Sequence, residues 1–124
     1  MIAADRTALT AFFKGEECRE SSLVFVALTA CDLCLPPVVL TEMLSNPASE
    51  HEMLETVAGF TQLDVTEGFW ERAGALRRSL KQHGVKAKVR DALIAQSCID
   101  HDIALITRNA DLRVLAKHCG LKLA

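Results

Sequence analysis

Residues 88–112 read KVRDALIAQSCIDHDIALITRNADL, and this stretch decides the fold. An amphipathic segment from Lys88 to His101 has helical spacing. A short apolar run, Ala104 to Thr107, follows it, and Asp111 to His118 reads as helix again. A strand this short between two helices belongs in a parallel sheet covered by helices. The polar residues Asp91 and Asn109 bracket that strand, one at the start of the preceding helix and one just after the strand ends.

Working outward, the same alternation spans all 124 residues and predicts one α/β domain, 1–124. Met1 to Ala4 is a first strand, followed by a helix from Thr7 to Phe13 that Gly15 stops. Ser21 to Cys31 is a second helix with Ser21 or Ser22 as its N-cap. Leu33 to Leu35 is a strand ended by Pro36 and Pro37, and Pro37 opens the helix that carries Glu42. Glu50 to Gly59 is amphipathic helix, and Gln62 to Val65 a short strand. Thr66 is expected to cap a long helix ending near His83, with Phe69, Ala73, Leu76 and Leu80 on its buried face. Leu121 to Leu123 is a last strand.

Asp5, Glu42, Asp91 and Asn109 therefore all fall at strand C-termini or in the opening turns of helices. Helices run antiparallel to their strands in such sheets, so the four share the carboxyl edge, where open α/β sheets place their ligands. Clustered acids repel: two carboxylates about 5 Å apart cost roughly 3 kcal/mol at an effective dielectric near 20. A divalent cation relieves that cost, and an all-oxygen donor set favours Mg²⁺ or Mn²⁺ over zinc. Each residue also has a plainer reading. Asp5 can cap the Thr7 helix, Glu42 can be a solvated helix residue, Asp91 suits a helix N-terminus, and Asn109 suits a turn. Only their joint placement points to a site.

Composition narrows the alternatives. Half of the residues are hydrophobic and the net charge is −2. That describes a globular chain with no global attraction to nucleic acid, so phosphate contacts must be local or run through a metal. Five cysteines form no disulfide framework, and Met1 to Phe13 does not read as an export signal. Free thiols in a reducing cytoplasm are expected. The apolar stretch Leu23 to Leu35 contains Asp32 and is too short to span a membrane. Cys31 and Cys34 have redox or zinc spacing with no second pair, so buried structural thiols are expected. The four histidines are isolated, and no glycine-rich phosphate loop is present.

Four motifs carry a family resemblance. Asp5-Arg6-Thr7-Ala8-Leu9 is similar to the Asp-Thr-Ser-Ala-Leu opening of PIN-domain ribonucleases. Val39-Leu40-Thr41-Glu42-Met43-Leu44 resembles their second motif, Arg90-Asp91-Ala92-Leu93-Ile94-Ala95 their third, and Thr107-Arg108-Asn109-Ala110-Asp111-Leu112 their fourth. The resemblance covers essentially the whole chain and is strongest to small VapC-type toxins of toxin–antitoxin pairs. It implies a PIN-like three-layer fold with a short, mostly parallel central sheet. It also implies a Mg²⁺- or Mn²⁺-dependent endoribonuclease, dimeric, and inhibited by a small VapB-like antitoxin.

By that resemblance Asp5, Glu42 and Asp91 are the metal-binding acids and Thr7 stands at the hydroxyl position of the first motif. Asn109 replaces the usual fourth acid, with Asp111 as the alternative, and Arg6 replaces a small hydroxyl residue. Arg77, Arg78, Lys81, Lys86, Lys88 and Arg90 concentrate positive charge ahead of Asp91. They read as a solvated helix face or as an RNA-backbone track that Arg108 and Arg113 extend. Phe12, Phe13, Phe25, Phe60, Phe69 and Trp70 lie in patterns that suit core or interface. A PIN-like RNA- or protein-binding module without cleavage is the alternative, since Arg6 can satisfy the acids in place of a metal. A flap-type DNA nuclease does not fit a chain too short for a helical arch.

Overall fold

The computed structural model describes residues 1–124 and places a four-stranded parallel sheet among seven helices. The strands are β1 (Ile2–Ala4), β2 (Leu33–Leu35), β3 (Thr61–Gln62) and β4 (Leu105–Ile106), in the order β3-β2-β1-β4. Central β1 registers Ala3 against both Cys34 and Leu105, and Asp5 N–H continues the ladder by donating to Ile106 O at 3.2 Å. The C-termini of β1 and β4 thereby lie side by side. Leu105, Ile106, Cys34 and Leu35 are almost fully buried, as expected for strands covered on both faces.

The helices are α1 (Arg6–Phe13), α2 (Arg19–Thr29), α3 (Val39–Leu44), α4 (His51–Ala58), α5 (Phe69–Gln82), α6 (Val89–Asp100) and α7 (Ala110–Ala116). Leu9 of α1, Ile94 of α6 and Leu112 and Leu115 of α7 are fully buried against the sheet residues in one core. Each such side chain contributes roughly 1.5–3 kcal/mol by leaving water. On α5, Phe69, Ala73 and Leu80 are buried as their spacing predicts, and half-buried Leu76 packs against the core.

Several expectations are corrected. Helix α2 begins at Arg19 behind Cys18, so Ser21 and Ser22 lie inside it, and it ends at Thr29 before Cys31. Helix α3 begins at Val39; Pro37 sits in the preceding turn, and Val38 takes a left-handed φ of 73°. Strand β3 pairs Thr61 and Gln62 with β2, in place of the run 62–65. The segment 121–123 contributes only a single bridge, Leu123 to Leu105. Cys34 is buried but Cys31 is exposed. No helix is long and apolar enough to cross a membrane.

Thr66 does not cap α5. Gly68 holds the N-cap position with φ 79°, and a Cβ there would lie 2.7 Å from Arg72 Nη1. The Thr66 hydroxyl instead accepts from Arg72 Nη2 at 2.9 Å. Arg72 forks onto Asp100 at the end of α6, at 3.0 and 2.6 Å, and Gln96 Nε2 donates to the same carboxylate at 2.8 Å. This clamp fixes α5 to the helix that carries Asp91.

The Arg72 hydrogen bonds hold the Asp100 carboxyl below its ordinary value. Its stabilising contribution is therefore present above the unfolded pKa of about 4 and is lost as pH falls through the lower folded value. Asp100→Asn is expected to lower the melting temperature at neutral pH, with the deficit closing in acid. Thermal melts followed by circular dichroism across pH check this; a deficit independent of pH would contradict it.

Candidate active site

Asp5 ends β1 and caps α1. It is only 2% exposed, and both carboxylate oxygens are engaged. Oδ1 accepts from the Thr7 hydroxyl at 2.6 Å and from Ala8 N–H at 3.0 Å; Oδ2 accepts from the Thr107 hydroxyl at 2.5 Å. The two threonines are themselves held. Thr7 Oγ1 accepts from Arg108 N–H at 2.8 Å, and Thr107 Oγ1 from Asn109 N–H at 3.0 Å. The end of β1 and the loop after β4 are thus tied through one carboxylate. Thr107 opens the fourth motif, where no role falls to it; the signal for one is a hydroxyl at the end of a strand that must neighbour Asp5.

The other two acids meet through an arginine. Glu42 lies in the first turn of α3, behind the strained Val38, and Asp91 in the first turn of α6. Arg90 Nη1 lies 3.2 Å from Glu42 Oε2, and Arg90 Nε 3.4 Å from Asp91 Oδ1. Arg6 Nε approaches Glu42 Oε2 at 3.4 Å. Two guanidinium groups therefore lie against two carboxylates, Glu42 and Asp91. Their hydrogen bonds leave one oxygen on each of two acids, Glu42 Oε1 and Asp91 Oδ2, buried with no partner. An unpartnered buried carboxylate oxygen is costly, and a hard cation is the partner that suits it. These two oxygens suit Mg²⁺ or Mn²⁺ in chemical type, although no three acidic, histidine or cysteine side chains come close enough together to hold an ion.

The fourth motif divides its roles. Asn109 Oδ1 accepts from Asp111 N–H at 2.8 Å and so caps α7, the plainer of its two readings. Asp111 is exposed and faces Lys88 Nζ at 4.0 Å, yet its charge raises the pKa of Asp91. Burial is the largest cause of that upward shift, and the Arg90 guanidinium opposes it. Of the expected basic track, Arg108 pairs with Glu16 and Arg113 with Glu20, so neither is a free cation. Lys86 and Lys88 are exposed. A cleft of about 890 Å³ opens beside Arg6 and Glu42.

The chain belongs to the PIN domain family, whose model matches residues 2–118; PIN domains are generally nucleases. Among solved structures it is similar to one described as VapBC2 from Rickettsia felis bound to a DNA fragment from their promoter. That chain superposes with a TM-score of 0.73 at 20% identity, covering 100% of this chain and 98% of that one. No curated protein matches the sequence.

Because burial raises the folded pKa of Asp91 above its unfolded value, the folded state holds the proton more tightly. Stability then falls as pH rises through that window. Metal-free Asp91→Asn is accordingly expected to melt above the wild type at neutral pH, with the difference vanishing in acid. A variant that melts lower at neutral pH would show that Asp91 is stabilised by its arginine more than it is penalised by burial.

Proposed function

We propose that the chain is a Mg²⁺- or Mn²⁺-dependent endoribonuclease that hydrolyses RNA phosphodiester bonds, acting as the toxin of a toxin–antitoxin pair. The observation that carries this reading is the pair of buried, unpartnered oxygens on Glu42 and Asp91, at the carboxyl edge of a PIN-family sheet whose first strand leads into Asp5. Asp5, Glu42 and Asp91 would hold the ion, with Thr7 and Thr107 fixing the Asp5 carboxylate. When bound, the ion supplies positive charge at the scissile phosphate and increases the acidity of attacking water. Asn109 holds the α7 end of the site in place, and Asp111 adds negative potential at its rim. Arg90, freed from the acids by the ion, would be available to a phosphate, as would Lys86 and Lys88.

The partner in this reading is a small VapB-like antitoxin, and the active form is a homodimer. Support for the antitoxin comes from the likeness to a chain in a structure described as VapBC2 bound to promoter DNA; the homodimer rests on the family resemblance alone. A second reading, a PIN-like module that binds RNA or protein without cleaving, is favoured by Arg6 and Arg90. Those side chains neutralise Glu42 and Asp91 with no metal present.

Two measurements separate the readings. Calorimetric titration with Mn²⁺ is expected to give saturable heat and a raised melting temperature; a non-cleaving module gives neither. Asp91→Asn should keep its circular dichroism but cut cleavage of total cellular RNA in Mg²⁺ by about 100-fold or more. A metal site contributes several kcal/mol to the transition state. Unchanged cleavage by a folded Asp91→Asn would overturn the proposed function.

A further inference from the structure

A groove of about 760 Å³ runs between α5 and α6. Of its ten lining residues, three are cations (Arg77, Arg78 and Lys81) and none is acidic, in a chain whose net charge is −2. Arg77 Nε donates to Ala87 O at 2.8 Å, which holds that side chain in place. Arg78 and Lys81 are exposed and make no ion pair.

At the far end of the groove Trp70 is 58% exposed, although its sequence pattern suited core or interface. Its ring packs edge-on against buried Phe69, with centroids 4.9 Å apart at 72°, so the indole is braced while remaining open to a ligand. Between Trp70 and the cations lies Gly74, in the middle of α5. A Cβ there would meet nothing within 4 Å, so packing within the chain does not require glycine. Glycine in a helix interior nevertheless costs about 1 kcal/mol relative to alanine. A bound group lying close over the helix would account for it.

We propose that this groove binds single-stranded RNA, with a base stacked on Trp70 and the backbone phosphates held by Arg77, Arg78 and Lys81. The inference rests on the reading of the chain as an RNA nuclease and extends it from the metal site to a second surface for the same substrate. The groove is lined at its other end by Val89, in the first turn of the helix that carries Asp91, with Asp91 itself on the opposite face of that helix. From Trp70 to Gln82 the α5 axis spans roughly 18 Å, enough for a few nucleotides. An exposed aromatic platform beside a cationic groove is how proteins hold single strands, because stacking needs bases that are not already paired. A second copy of the chain suits the surface poorly: a two-fold contact would set these cations against their own equivalents.

Trp70 is the only tryptophan, so its fluorescence reports on the groove directly. The Asp91→Asn variant is titrated in Mg²⁺ with a labelled single-stranded oligoribonucleotide of mixed sequence, and indole emission and RNA anisotropy are recorded together. Emission should be quenched along the same curve as the anisotropy rises, and a duplex of the same sequence should leave it unquenched. Trp70→Ala should weaken binding roughly 5- to 150-fold, and Trp70→Phe much less. Arg78→Gln with Lys81→Gln should lower the slope of log affinity against log salt by about 1.4. Gly74→Leu should keep or raise the melting temperature while weakening binding.

RNA that is bound, and cleaved by the wild type, with the indole unmoved and Trp70→Ala unaffected would overturn the track and leave the nuclease reading standing. Absence of both binding and cleavage would overturn the two together. Emission that changes with protein concentration alone, alongside a dimer mass, would assign the face to a second copy and overturn the proposal. Equal quenching by duplex would overturn the single-strand assignment.

Discussion

Asp5 is a buried carboxylate, and everything at the carboxyl edge of the sheet depends on how it is satisfied. Burying a charge without partners costs several kcal/mol, so the fold has to bring donors to it. It does so with the Thr7 hydroxyl and Ala8 N–H from the first turn of α1, and with the Thr107 hydroxyl from the end of β4. Those bonds join segments 102 residues apart. They fix where the fourth motif starts, and hence where Asn109 caps α7.

The second half of the edge is unfinished by comparison. Arg90 stands between Glu42 and Asp91 at distances of 3.2 and 3.4 Å, long for charge-assisted bonds. Each acid still keeps a bare oxygen. Asp5 is thus a completed structural node, whereas Glu42 and Asp91 form an incompletely satisfied pair in which a guanidinium supplies the positive charge. That asymmetry explains why burial raises the pKa of Asp91 despite a neighbouring arginine.

Most of this was legible in the sequence, because the alternation of short apolar runs and helical segments fixes a parallel sheet and sends Asp5, Glu42 and Asp91 to one edge. What periodicity could not carry were choices decided by tertiary partners. Thr66 has the chemistry of a cap, but its hydroxyl goes to the Arg72–Asp100 clamp and Gly68 takes the turn. Asn109 was read as a site residue, and its side-chain oxygen is spent on its own helix. Arg6 was legible as a counter-charge. Arg90 reads in the sequence as a solvated helix residue or a phosphate contact, not as a partner of Glu42, since a residue's neighbours across 48 positions are not written in local pattern. Trp70 follows an apolar pattern yet projects outward, because Phe69 beside it takes the buried place.

The central claim is the proposal that Glu42 and Asp91 take one hard divalent cation in the place that Arg90 occupies between them. Anomalous diffraction from crystals soaked in Mn²⁺ tests it most directly. The account predicts a single manganese peak within coordinating distance of Glu42 Oε1 and Asp91 Oδ2, about 2.0–2.3 Å, with Arg90 displaced from between them. Full soaking with no peak at this edge, and Arg90 still bridging the two carboxylates, would contradict it.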